Sequence, residues 1–365
     1  MRNNRLLDFQ TVRFYPFSSR AGMWCFAVLL MAALALLYFS KICDGKIKDG
    51  ILAKSMMTPQ DMGCFILDRA LHPDGEKPEV LIAGSSKNGL GVSTDILSQR
   101  FGRLNTVKCT IDSGSCWECL ALLQKYPDDW DQLKILILDF GPESIHPHNY
   151  QNGNTVFLLE SKNCDLPDDY IKTSSNILSF RKMDLYGLAM MVIRFRQSST
   201  HESSWHKEYY RKVKKSIMAA YDARPKSEIE EERDKKSKEI TDPFLVKTLY
   251  KLVEYCQKRN ILLILDVMPA RFQPMYNSGY FDFRDPNTAF SENGSDFIQL
   301  CEKLKSEKGV FVFGLASFKE IDPTVNEKEL FFDTMHMTLE GATLYTNWLA
   351  DQILSDPNTQ KRLLP

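Results

Sequence analysis

The chain has 365 residues, of which 44% are hydrophobic and 25% charged, and its formal net charge is -1. That length allows one large or two ordinary domains of roughly 150 residues each, with a globular composition. The near-zero charge argues against a nucleic-acid partner, which requires a basic face. The sequence holds no zinc-finger spacing, no G-x-x-x-x-G-K-[ST] phosphate loop and no internal repeat.

The first segment, residues 1–20, reads as a tail. From Ala21 to Phe39, "AGMWCFAVLLMAALALLYF", no charged residue occurs. A helix rising about 1.5 Å per residue over this stretch spans a hydrocarbon core of about 30 Å. Trp24 and Tyr38 suit the two membrane interfaces. The competing reading is a cleaved signal peptide, but the following "SKICDG" has no small-residue cleavage pattern. Cys43 likewise lacks the small apolar neighbours of a lipoprotein site. Arginines before the span and lysines after it nearly balance, so charge alone gives no orientation. Residues 40–78 read as a stalk with a short amphipathic helix around "DMGCFILDRAL".

An alternation of apolar runs and helical patterns begins at residue 79. "VLIA" (80–83) predicts a strand, Ser93–Arg100 a helix, "TVKCTI" (106–111) a strand and "CWECLALLQKY" (116–126) a helix. "LKILILDF" (133–140) has the near-continuous apolar character of a strand buried on both faces. The pattern lapses over 142–243. That stretch includes "MDLYGLAMMVIRFRQS", read as a packed helix in preference to a lid or membrane-resting face, and the mixed-charge "KSEIEEERDKKSKE". The alternation resumes with a helix at 244–259, a strand at 261–269, a helix at 296–308, a strand at 309–314 and a helix at 338–354. The expected fold is α/β: a parallel sheet flanked by helices, spanning 79–356 with a helical insertion and followed by a tail at 357–365. Its site belongs at the carboxyl ends of the strands.

Chemistry-bearing residues fall at such ends. Ser86 follows the first strand in "VLIAGSS". Asp333 and His336 precede the last helix in "FFDTMHMTLEGA", a spacing that sets a carboxylate beside an imidazole. In a nucleophile–base–orienter arrangement the carboxylate holds Nδ1–H and leaves Nε2 free to take a hydroxyl proton. With an unperturbed pKa of about 6.5, His336 can do so at neutral pH. Gly114, in "IDSGS" after the second strand, allows close approach of a backbone N–H to a substrate oxygen. Cys116 and Cys119 in "CWEC" form a C-x-x-C without a thioredoxin-like context, and the plainer reading is a helix start. The six histidines form no metal-ligand pattern, and His146 and His148 lie in a polar loop. "MPARFQPMYNSG" reads as a Pro-containing loop rather than a substrate wall.

With these blocks the chain resembles the SGNH (GDSL-type) hydrolase family over roughly 78–145 and 244–356. Gly84-Ser85-Ser86 matches the first block, with Ser86 as nucleophile. Gly114 matches the second-block glycine, and Asp333-Thr334-Met335-His336 matches the last block. The third block departs: in "DFGPES" Gly141 matches, but Glu143 stands where the family has asparagine. Asparagine donates to an oxyanion, an ionised glutamate does not, and loss of one such donor typically costs about 10²–10³ in rate. Another donor, a slow enzyme and an inactive one are all compatible with that change.

The resemblance implies a three-layer SGNH/flavodoxin-like sandwich and no cofactor. It implies a serine esterase or acyltransferase acting on small acyl, acetyl-like esters, with Ser86 and Gly114 amides holding the oxyanion. Membrane-anchored members with a Gly-Ser-Ser block acylate cell-surface polysaccharides or serve D-alanine transfer to teichoic acids, and keep this domain outside the cytoplasmic membrane, which implies that residues 1–20 are a cytoplasmic tail. The implied partners are an acyl ester or cell-surface polysaccharide, the membrane and a membrane-bound acyltransferase. The alternative is a catalytically inactive binding or accessory protein on the same fold.

Overall fold

A computed structural model describes residues 23–32, 75–111, 114–145, 241–269, 282–285, 292–331 and 335–363. The expected stalk helix, most of the 142–243 insertion, most of the "MPARFQPMYNSG" loop and Asp333 lie outside the described residues. Of the uncharged N-terminal stretch, residues 23–32 form a helix, α1. Among the described residues no helix is long and apolar enough to cross a membrane.

Five strands make one parallel sheet: β1 (Val80–Gly84), β2 (Thr106–Thr110), β3 (Ile135–Asp139), β4 (Leu262–Val267) and β5 (Val310–Gly314), in the order β2-β1-β3-β4-β5. Val80 stands opposite Thr106 on one side and Ile135 on the other; Ile135 pairs with Leu262, and Leu263 with Val310. Strands from both sides of 146–240 thus belong to the same sheet, with β3 directly beside β4. In this order the direction of strand addition reverses between β1 and β3, which opens a crevice at their carboxyl ends.

The three central strands are buried throughout, and apolar apart from Asp139 and Asp266, because both faces are covered. Side chains alternate across a strand. Leu81, Ala83, Leu136, Leu138, Leu263 and Leu265 face one core, shared with α4 (Cys116–Lys125), α5 (Pro243–Lys258) and α6 (Glu292–Lys305). Val80, Ile82, Ile135, Ile137, Leu262 and Ile264 face the other, shared with α3 (Thr94–Arg100) and α8 (Leu339–Ser355). Fully burying one such aliphatic side chain contributes about 1.5–3 kcal/mol.

The helices start where their caps stand. Ser93 caps α3, Ser115 forms a reciprocal capping box with Glu118 on α4, and Asp242 caps α5 ahead of Pro243.

Two short helices were not expected from the sequence. Ser86–Gly91 forms α2 directly after β1, and Glu327–Leu330 forms α7 after β5. Residues 357–365 were expected to be a tail. Instead Pro357–Leu363 forms α9, whose Leu363 is buried in the second core. A leucine able to reach that core keeps the segment folded back on the domain.

Candidate active site

The segment after β1 is built by three consecutive residues with different tasks. Gly84 has φ +108°, a conformation that side chains rarely adopt, and a Cβ there would lie 2.6 Å from Asp139 Cβ. The glycine lets β1 end tightly against β3. Ser85 is the N-cap of α2: its Oγ accepts from the Lys87 amide at 3.1 Å and donates to Asp139 Oδ2. Ser86 then opens the helix, half-buried, and its Oγ lies 2.8 Å from His336 Nε2. Two residues 250 positions apart are therefore brought into hydrogen-bond contact.

His336 does not directly follow the last strand, as its place in the sequence suggested. Between them come a 3-10 turn at Phe318–Glu320 and α7. An isolated antiparallel bridge joins Phe331 to Met337, and the Thr338 amide donates to Leu330 O at 2.9 Å. Phe331 and Met337 are buried, and Phe331 meets Phe318 edge-on with ring centroids 5.5 Å apart. These anchors fix both ends of the turn, while Thr338 caps α8 immediately after it. With the proton on Nδ1, Nε2 accepts from the Ser86 hydroxyl, the geometry a general base requires. The position of Asp333, the expected orienter, lies outside the described residues.

Gly114 is placed at the site, but its amide is engaged elsewhere. It donates to Ile111 O at 2.9 Å, and a Cβ at Gly114 would lie 2.5 Å from Gly84 O. Close packing against the end of β1 thus accounts for the glycine. The expected oxyanion role of its N–H is not supported, because that proton is already held by a backbone carbonyl.

Gly141 and Glu143 lie in the turn after β3, where Pro142–Ile145 forms a 3-10 helix. The Gly141 amide donates to Ser144 Oγ at 3.0 Å, and a Cβ at Gly141 would lie 2.6 Å from Glu143 Oε1. Glu143 folds back over this glycine, and its Oε1 accepts from Lys87 Nζ. The glutamate in place of asparagine is therefore the partner of the residue that follows the candidate nucleophile.

Lys87 belongs to a buried polar cluster that the sequence reading did not find. Burial depresses its pKa, opposed by the nearby carboxylates of Asp139 and Asp266. Asp139 and Asp266 are register partners on β3 and β4. Burial pushes the Asp266 carboxyl up to about 8, with Asp139 adding to the rise, while Lys87 and a hydrogen bond donated by Tyr345 hold it back. Asp139 Oδ1 and Asp266 Oδ2 are both buried without a hydrogen-bond partner. A signal for this cluster was present in the sequence: "ILILD" and "LLILD" are two strongly apolar strands that each carry an aspartate at the same end.

The C-x-x-C pair has no thiolate character. Cys116 and Cys119 are buried and unpaired with each other, and burial raises both thiols well above their ordinary values. Among the described residues no group of His, Cys, Asp or Glu has the arrangement of a metal site.

Searches among known proteins leave the geometry to stand by itself: no protein-family model matches the chain, and no curated protein matches it significantly.

Proposed function

We propose that the chain is a membrane-anchored serine esterase or O-acyltransferase of SGNH type. Its substrates are small acyl, acetyl-like esters of cell-envelope glycans, handled through an acyl-serine intermediate. The observation that carries this reading is the 2.8 Å contact between Ser86 Oγ and His336 Nε2 at the carboxyl edge of a parallel sheet.

Ser86 Oγ attacks the acyl carbonyl carbon as His336 Nε2 takes its proton, and a tetrahedral oxyanion forms. The leaving alcohol departs with that proton, leaving the acyl group on Ser86. Water or a glycan hydroxyl, deprotonated in turn by His336, then takes the acyl group and restores the serine. Asp333 is assigned to hold the imidazole by resemblance alone. The amide of Ser86, first in its helix, has no carbonyl four residues back in the helix and is the natural oxyanion donor.

An envelope location with a single span and the domain outside the cytoplasm accords with the uncharged stretch 21–39. It also accords with α1, where Trp24 is 71% and Leu29 68% exposed despite their apolar character. A membrane-bound acyltransferase is the partner this arrangement would serve.

The test uses the full chain in detergent micelles, an activated acetyl ester and a fluorophosphonate probe. Turnover and labelling should both require Ser86 and His336, and Ser86→Ala and His336→Ala should abolish them in a folded protein. One observation favours the alternative of an inactive binding or accessory protein: neither Gly114 nor Glu143 offers a free oxyanion donor. Absence of labelling in the folded wild-type chain would establish that reading instead.

A further inference from the structure

Five elements bring charged or titratable groups together beside the first turn of α2, which carries Ser86. Lys87 comes from α2, Asp139 from the end of β3, Glu143 from the turn after it, and Asp266 from β4 with Tyr345 of α8 bonded to it. The Lys87 side chain is only 6% exposed and that of Glu143 is 32% exposed, so the pair runs from the interior toward the mouth of the site. Lys87 also donates its backbone amide to Ser85 Oγ, and Ser85 in turn donates to Asp139. The same residue thus ties the first turn of α2 to β3 through its backbone and to the 142–145 turn through its side chain.

We infer that Lys87 and Glu143 form a positioning ion pair for the candidate catalytic serine and histidine. The pair locks the 142–145 turn against the first turn of α2. It also neutralises the carboxylate that stands where the resemblance places an oxyanion donor. This rests on the serine-hydrolase reading for its catalytic meaning, while the ion pair itself is present whether or not the protein turns over.

The chemistry decides which charge each variant leaves behind. Glu143→Gln removes a negative charge and leaves the Lys87 ammonium facing Asp139 and Asp266. Lys87→Met removes the cation that Glu143 and Asp139 face. Lys87 is adjacent in the chain to Ser86, whose hydroxyl touches His336, so the imidazole senses both changes with opposite signs. Removing a nearby negative charge lowers its pKa, and removing a nearby positive charge raises it.

The experiment follows the imidazole titration of histidine-labelled full-length chain by NMR in micelles, with the His336 resonance assigned by its loss in His336→Ala. Ester hydrolysis and probe labelling are measured on the same samples. We expect the His336 midpoint to fall in Glu143→Gln, to rise in Lys87→Met and to return toward wild type in the double variant. Labelling should be slowed about tenfold or more in each single variant and partly recovered in the double. Lys87→Met carries the greater risk of unfolding, and if it does not fold, Glu143→Gln and the double variant decide alone. A His336 midpoint unchanged in folded Glu143→Gln, or moved equally in Glu143→Gln and the double variant, overturns the inference. Opposite shifts in the two single variants, with a wild-type protein that neither hydrolyses nor labels, would sustain the electrostatic pair and reject the hydrolase reading.

Discussion

Replacing Gly84 by alanine adds a single methyl group at the tightest point of the candidate site. The backbone there has φ +108°, and holding a residue with a side chain in such a region costs about 1–3 kcal/mol. The new Cβ would stand 2.6 Å from Asp139 Cβ and 3.0 Å from Asp139 N. Asp139 cannot withdraw freely, because it ends a central strand and pairs in register with Asp266. Overpacking of this kind adds about 1–3 kcal/mol, so the total is about 2–6 kcal/mol. That is a large share of the roughly 5–15 kcal/mol that holds a domain together. Gly309→Ala provides the control: φ is +77° there, but the nearest atoms to a Cβ are 4.0 Å away. It should lose only the conformational part, about 1–2 kcal/mol. Urea unfolding followed by tryptophan fluorescence, with Trp117 and Trp130 both buried, measures each loss. Equal losses at Gly84 and Gly309, or a Gly84→Ala protein within about 0.5 kcal/mol of wild type, would refute the close approach of β1 to β3.

Tyr345→Phe removes the hydroxyl that donates to buried Asp266 and should cost about 1–3 kcal/mol in urea unfolding, since the carboxyl is left without that donor. Thr338→Ala removes the N-cap of α8, whose Oγ accepts from the Gly341 amide at 3.3 Å, and should lower stability by about 1 kcal/mol in the same assay. Burial raises Asp266 to about 8 and Glu118 to about 7, so the folded state holds more protons than the unfolded one. Their contribution is complete below the unfolded carboxylate range of about 4 and is lost as pH rises through 7 and 8. Unfolding midpoints measured from pH 5 to 8 should therefore decline less in Asp266→Asn than in wild type. Brief alkylation at neutral pH, mapped by mass spectrometry, should leave Cys116 and Cys119 unmodified in the folded protein and label both in urea; labelling of the native pair would revive a redox role.

Much of the fold was legible because burial leaves a pattern along the chain. Four of the five strands appear as short apolar runs, β2 as the mixed "TVKCT", and the long helices of the two covering layers show their periodicity. The short α2 was not legible, since "SKNGLG" contains two poor helix formers. Its cap on Ser85 and its closeness to β2 favour it, and a Cβ at Gly89 would lie 2.9 Å from Thr110 Oγ1. Helix α9 escaped for a similar reason, because the core that receives Leu363 is assembled from distant segments.

Local sequence determined that this chain alternates strands and helices, that a serine follows its first strand, and that a histidine precedes its last long helix. Those features depend on backbone preference and on the side-chain period of neighbours, which a linear reading contains. Only the tertiary structure decided what the polar residues do. Ser85 meets Asp139 across 54 positions, Lys87 meets Glu143 across 56, Tyr345 meets Asp266 across 79, and Ser86 meets His336 across 250. The folded chain also sets the Gly114 amide on Ile111 O and makes Glu143 the partner of a buried lysine. A buried charge is tolerated only beside the group that compensates it, and sheet pairing, not proximity in the sequence, supplies that neighbour.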